Sequence, residues 1–299
     1  MKLMRYLKGM MSRQGAFHTL AFCAFFLVLP LNVQAQSMRE VCKSVEQAKS
    51  LNTPYHFAVI GDSQDGAKTY TRLVRNIIGH KPDFVIHLGD MVSNSREEQW
   101  KSFFEMSEVL RVPFFPVAGN HDVGSRPGGE ETYRSQFCLP GEKAYYSFRA
   151  GECLFIALDS EKGSGMILED QWSWLEENLH NSTVRCKIVM IHRPLFLPID
   201  SLKAGRAMDR FPSYRDNLHQ LFVKTGVTMV LSGDDHRYDR REKDHVLYII
   251  TGGGGSPLAA LKARGGYFHY VWVTVYGEGL EGVVLDQERQ VTDRFAIKW

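Results

Sequence analysis

The stretch Phe114-Phe115-Pro116-Val117-Ala118-Gly119-Asn120-His121-Asp122 sets a short apolar run directly against an amide, an imidazole and a carboxylate. An apolar run of this length closed by a glycine reads as a buried strand that ends in a turn. A neutral amide oxygen beside an imidazole at such an exposed end suits a metal ligand paired with a proton donor. Two earlier strands end the same way. Phe57-Ala58-Val59-Ile60 runs into Gly61-Asp62-Ser63-Gln64, and Phe84-Val85-Ile86-His87-Leu88 runs into Gly89-Asp90.

Between these strands the apolar period changes to that of a helix. Residues 67–78 place Tyr70, Leu73, Val74, Ile77 and Ile78 on one face, and residues 97–110 carry Trp100, Phe103, Phe104 and Val109 before Pro113. The resulting βαβαβ order predicts a parallel sheet with ligands at its carboxyl ends. Further on, strands are expected at 144–148, 154–158, 187–191 and 227–231, with helices at 169–179 and 214–223. The third of these strands ends at His192 and the fourth at Ser232-Gly233-Asp234-Asp235-His236. From residue 246 onward, runs at 246–251, 270–275, 282–285 and 291–297 are joined by glycine-bearing turns. They predict an antiparallel C-terminal sheet stacked against the first sheet, with helices outside.

Five strand ends thus offer Asp62 with Gln64, Asp90, Asn120, His192, and Asp234 with His236. Singly, an Asp or Asn after a strand is a turn residue. Together they supply a carboxylate able to bridge two cations and oxygen and imidazole ligands around each, which is the inventory of a dinuclear hydrolytic site. Arg193, next to His192, is a candidate contact for a substrate phosphate, with a structural ion pair as its other reading. Gly252 to Gly255 is followed by no Lys-Ser or Lys-Thr and predicts close backbone packing near the site, not a phosphate loop. The irregular residues 197–211, with Arg206 and Arg210, read as a loop overhanging the site or as a solvated surface.

In these blocks the chain resembles the calcineurin-like metallophosphoesterase superfamily, whose pattern runs roughly GDxH, GD, GNH, H and GHxH. The stretches Gln171-Trp172-Ser173-Trp174-Leu175 and Tyr248-Ile249-Ile250-Thr251-Gly252-Gly253-Gly254-Gly255 fit between and after the blocks. The resemblance implies a four-layer α/β/β/α sandwich of two mixed sheets. It also implies one metal held by Asp62, Gln64, the bridging Asp90 and His236, and a second by Asp90, Asn120, His192 and Asp234. A hydroxide held between the cations would attack phosphorus, with His121 as general acid for the leaving oxygen. Gln64 and Asp234 each replace a histidine of the pattern, and Asp235 is the alternative ligand to Asp234. The oxygen-richer set favours manganese or magnesium, with iron or zinc also allowed. Ser93 stands where phosphoprotein phosphatases of the superfamily have an Asp and purple acid phosphatases a Tyr, which points away from both branches, although Ser232-Gly233-Asp234-Asp235-His236-Arg237-Tyr238 still resembles the purple acid pattern; Asp122 is a candidate to orient His121.

The N-terminus carries Lys2, Arg5, Lys8 and Arg13, an apolar run over residues 16–31, and Val33-Gln34-Ala35. That order reads as a secretory signal cut after Ala35, which makes the mature chain secreted or periplasmic and free of the membrane; a retained anchor is the alternative. The organisation expected is a signal over residues 1–35, a lead-in segment over 36–54 and a metallophosphoesterase domain over 55–299. The formal charge of +2 and the mixed signs of residues 237–243, read as an edge strand or loop, give no basic stripe for nucleic acid. Four cysteines follow the signal. Up to two disulfides in three connectivities are open: Cys42 and Cys138 lie in polar stretches and are the better candidates, whereas Cys153 and Cys186, in strand-like apolar runs, have buried thiols as their alternative reading. The function expected is an exported hydrolase of small phosphomonoesters or phosphodiesters, with two divalent cations. Its alternative is a catalytically impaired binding protein on the same fold. Oligomeric state is not legible.

Overall fold

The computed structural model describes residues 38–123 and 128–299. The expected signal over residues 1–35 lies outside them. Three short strands open the fold: β1 (Tyr55–Ile60), β2 (Phe84–His87) and β3 (Phe114–Pro116). They pair in parallel, with Phe57 opposite Phe84 and Val85 opposite Phe114, as the βαβαβ reading requires. The first crossover helix, α2 (Ala67–Gly79), buries Tyr70, Leu73, Val74 and Ile77, a spacing that makes one continuous stripe. The second, α3 (Glu97–Met106), begins with Glu97 and Glu98, which favour the positive end of its dipole, and buries Trp100, Phe103 and Phe104.

The second sheet comes from the middle of the chain. Its strands are β4 (Tyr146–Ala150), β5 (Cys153–Leu158), β6 (Cys186–Ile191), β7 (Met229–Ser232), β8 (Tyr238–Lys243) and β9 (Val246–Thr251), in the order β4-β5-β6-β7-β9-β8. The expectation of a separate C-terminal sheet is corrected here. The run from Val246 joins the second sheet beside β7, whereas β10 (His269–Tyr276), β11 (Gly279–Asp286) and β12 (Val291–Lys298) extend the first. β10 pairs antiparallel with β1, Phe57 opposite Val273, because the free edge of β1 needs hydrogen-bond partners as much as any face needs cover. The mixed-sign residues after Arg237 do form an edge strand, β8.

The layers follow from alternation along the strands. On β5, Phe155 and Ala157 point into the core shared with the first sheet, while Leu154, Ile156 and Leu158 face α6 (Glu169–Asn181) and α7 (Pro212–Thr225). Phe57 and Phe84 of the first sheet meet Phe155 edge-on at centroid distances of 5.4 and 5.5 Å, so the sheets stack face to face. Helices α2 and α3 cover the first sheet and α6 and α7 the second, while the short α4 (Asn120–Val123) and α5 (Gly129–Gln136) follow β3. This is the four-layer sandwich of two mixed sheets. Residues 38–54 of the lead-in pack onto it: α1 (Val41–Lys49) buries Val41, Val45 and Ala48, and Ser44 Oγ accepts the Phe114 amide.

The bonded cysteines are Cys153 and Cys186, which face each other across the β5/β6 register. The pair favoured from the sequence, Cys42 and Cys138, remains as thiols with sulfurs 3.1 Å apart. No helix among the described residues is long and apolar enough to cross a membrane.

Candidate metal centre

Every strand end singled out in the sequence arrives at one rim. Just past β1, β2 and β7, Asp62, Asp90 and Asp234 take left-handed backbone conformations, with φ of 60°, 55° and 63°. Aspartate tolerates that region better than most side chains, and such outliers gather at functional sites. The turns also bind one another. Asp62 N–H donates to the Gly89 carbonyl at 2.9 Å, and the Ser63 and Gln64 amides both donate to the Asp90 carbonyl. The Asp234 amide donates to the Asp62 carboxylate at 3.1 Å, and the His121 amide donates to Asp90 Oδ1 at 2.9 Å.

Two groups of ligand atoms result. Asp62, Asp90 and His236 converge in one, and Asp90, His192 and Asp234 in the other. Asp90 is common to both, as a bridging carboxylate must be. Gln64 adjoins the first group, its Nε2 lying 3.2 Å from Asp90 Oδ2. Asn120 adjoins the second, its Oδ1 lying 3.3 Å from His192 Nε2. The three imidazoles are oriented alike. His192 Nδ1 meets the Leu88 carbonyl at 2.7 Å, His236 Nδ1 the Pro257 carbonyl at 2.8 Å, and His121 Nδ1 the Ser93 carbonyl at 2.7 Å. A carbonyl accepts only, so each Nδ1 carries the proton and each Nε2 is turned inward.

The donor set fits divalent cations. Asp62, Asp90 and Asp234 are essentially buried within a few ångströms of one another. Buried in the same place, Gln64 Oε1, Asp234 Oδ2 and His236 Nε2 have no hydrogen-bond partner. Orphaned acceptors and like charges at one point are costly unless a cation meets them. In the protein alone, burial holds the Asp62 carboxyl well above the usual carboxylate range. Burial acts on Asp90 in the same sense, but the His192 imidazole 3.4 Å away overrides it, leaving Asp90 low; against its own burial, His192 is raised by Asp90 in return.

His121 is 40% exposed at its side chain, and its Nε2 lies 4.0 Å from Asp90 Oδ2, at the border between the candidate ligands and the cleft. Asp122 does not orient it. The Asp122 carboxylate accepts the amides of Met91, Val92 and Gly119, clamping the second and third turns together. Asp235 is turned away, toward Arg237 Nε at 3.2 Å, which leaves Asp234 as the candidate ligand of that turn. Arg193 lines the cleft, but its Nε and Nη2 engage Glu161 and its Nη1 donates to the Arg206 carbonyl. The glycine run packs as expected: the Gly254 amide donates to the Gly61 carbonyl at 2.9 Å, and Ser256 Oγ donates to the Gln64 carbonyl at 2.7 Å.

Beside these residues opens a cleft of about 650 Å³ lined by Asn120, His121, Arg193, Lys203, Arg206 and Asp234 among others. Lys203 is the residue that the sequence did not point to. It lies in the irregular stretch 197–211, where the only signal was a positive charge in a loop near the fourth block.

The family described as calcineurin-like phosphoesterase matches residues 55–238, more than half of the chain. The human serine/threonine-protein phosphatase CPPED1 is 29% identical over 201 residues, 59% of this chain and 63% of that relative's length, so the likeness spans less than two thirds of it. A protein of Arcobacter nitrofigilis named "Probable glycerophosphodiester phosphodiesterase GpdQ" is 30% identical over 203 residues, 63% of this chain and 69% of its own. Among solved structures, the purple acid phosphatase PPD1 of yellow lupin (Lupinus luteus) superposes with a TM-score of 0.69 at 20% identity, covering 83% of this chain and 54% of that one. That likeness is one of fold.

Proposed function

The chain belongs to the calcineurin-like phosphoesterase family, and from that premise we propose that it hydrolyses small phosphomonoesters or phosphodiesters at a centre of two divalent cations. One observation carries the reading: the orphaned Gln64 Oε1, Asp234 Oδ2 and His236 Nε2 gather with Asp62 and Asp90 beside an open cleft that Asp234 lines. Divalent cations there would activate water and neutralise phosphoryl charge. Asp62, Gln64, Asp90 and His236 would hold the first, and Asp90, Asn120, His192 and Asp234 the second. His121, with Nδ1 pinned by the Ser93 carbonyl, presents Nε2 to the cleft, where it can give a proton to the leaving oxygen. The cleft has the size of a small-ligand site, and Arg206 and Arg210 on its rim suit an anion. The phosphatase and phosphodiesterase names of the two relatives support both ester classes. The basic, apolar and small-residue order of residues 1–35 supports export.

Purified protein incubated with manganese and an aryl phosphate, then with the corresponding diester, tests the proposal. Absence of turnover above the metal alone, across several divalent ions, refutes it. Asp90→Asn should lose both cations and activity, whereas His121→Ala should keep the cations and lose rate, most on poor leaving groups. A second reading, a non-catalytic binding protein, is favoured by the Lys203 ammonium 2.7 Å from Asp234 Oδ1. Retention of one cation or none with no turnover would support it.

A further inference from the structure

The loop between β6 and α7 delivers Lys203 into the metal centre. Its Nζ donates to Asp234 Oδ1 at 2.7 Å, with side-chain exposures of 21% for the lysine and 1% for the aspartate. The placement is held from both sides. Ahead of Lys203, Asp200 accepts Arg237 Nη1 at 3.0 Å and Arg264 Nη1 at 2.8 Å. Behind it, the Gly205 amide donates to Asp209 and the Arg206 carbonyl accepts Arg193 Nη1. Arg237, almost wholly buried, also pairs with Asp235, the residue after Asp234. One set of ion pairs therefore ties the loop bearing Lys203 to the turn bearing Asp234.

This contact makes the two halves of the centre unequal. Among the described residues no lysine or arginine pairs with Asp62 or Asp90; the charge of Lys203 reaches Asp62 and His236 as well, but its direct contact is with Asp234. At Asp234 a divalent ion would share the carboxylate with an ammonium held on Oδ1, and like charges at that spacing repel strongly where water is scarce. The lysine stem is long and one-fifth exposed, so the ammonium can leave for the cleft, where an anionic substrate would receive it.

We propose that Lys203 and the second divalent cation compete for Asp234, so that the chain holds one cation tightly and loads the other only as Lys203 withdraws. The inference rests on the metal-dependent reading above. Its test is metal binding, with no substrate present. Wild type, Lys203→Met and Lys203→Arg are stripped with a chelator and titrated with manganese, bound ions being counted by calorimetry and by electron paramagnetic resonance. Wild type and Lys203→Arg should show one tight and one weak site, whereas Lys203→Met should tighten the weak site by at least about tenfold, the first changing far less. Thermal melts in chelator confirm that all three are folded. An unchanged second site in Lys203→Met or an equal gain at both sites overturns the inference and leaves the metal-dependent reading standing; one ion and no second in all three overturns the inference together with the two-cation reading. No bound manganese in any of the three overturns both.

Discussion

Replacing Gly119 with alanine asks whether the rim works as one rigid unit, because Gly119 holds no ligand atom of its own. An added Cβ would stand 3.0 Å from the Gly89 carbonyl carbon and closer still to the Asp90 amide nitrogen and Oδ1, where ordinary contact begins at 3.4 Å. The second and third turns must then part by roughly 1 Å, and overpacking of this kind costs about 2 kcal/mol. At about 2–4 °C per kcal/mol for a chain of this size, the melting temperature in chelator should fall by roughly 4–8 °C. The displacement falls on the bridging carboxylate, and a misplacement of about 1 Å at reacting groups costs on the order of 10²-fold in rate. Melts with and without manganese, together with kcat/KM on an aryl phosphate, read both effects. Gly79→Ala is the control: at the end of α2 its Cβ would meet nothing nearer than Arg289 Nη2 at 3.7 Å, so stability should hold or rise by up to about 1 kcal/mol. A Gly119→Ala protein with the wild-type metal response and wild-type rate would refute the idea that the turns are locked together.

His269, buried between Thr251 Oγ1 and the Tyr267 carbonyl, is lowered by burial to about 4. Above its ordinary value of 6.5 it is neutral whether folded or not. As pH falls from there toward 4 the unfolded chain takes a proton that the folded one resists, so up to about 3 kcal/mol of stability is lost. Urea midpoints across that range should show the loss in wild type and a flatter profile in His269→Gln; equal slopes would exclude His269 as the cause. Lys187, on β6, donates to the Leu179 carbonyl near the end of α6 and to the Thr225 carbonyl at the end of α7. Lys187→Met should cost about 2 kcal/mol by urea denaturation, through lost hydrogen bonds and lost charge at two helix termini, and an unchanged midpoint would contradict this. Oxidation should join Cys42 to Cys138 and stabilise the chain by about 2–4 kcal/mol, read as a urea midpoint shift that a Cys42→Ser, Cys138→Ser double variant lacks. Two alkylatable thiols persisting under oxidation would contradict it.

The candidate site was legible because each candidate ligand follows a strand, and a strand end is a local signal: an apolar run, a glycine, then a polar side chain. Asp62, Asp90, Asn120, His192, Asp234 and His236 were all found that way, and the structure brings them together. What failed was non-local. Whether the strand from Val246 joins one sheet or the other depends on which edge is unpaired, and the sequence of the strand does not encode that. The roles of Asp122 and Asp235 turned on side-chain direction within a turn, which spacing does not give. Lys203 escaped notice because its position rests on Asp200 reaching Arg237, 37 residues away, from a loop with no periodicity. The Cys153–Cys186 pair likewise follows from strand register.

The left-handed backbone at Asp62, Asp90 and Asp234 also filters which metals the centre can come to prefer. At φ near 60° the side chains commonly tolerated, glycine apart, are aspartate, asparagine and histidine. Glutamate and cysteine, equally able ligands elsewhere, are disfavoured by the backbone before coordination chemistry is consulted. An exchange of histidine for aspartate at position 234 stays inside the permitted set, so it alters hardness and charge without disturbing the turn. Drift at these three corners is therefore biased toward oxygen and imidazole and away from the thiolate chemistry of softer metals.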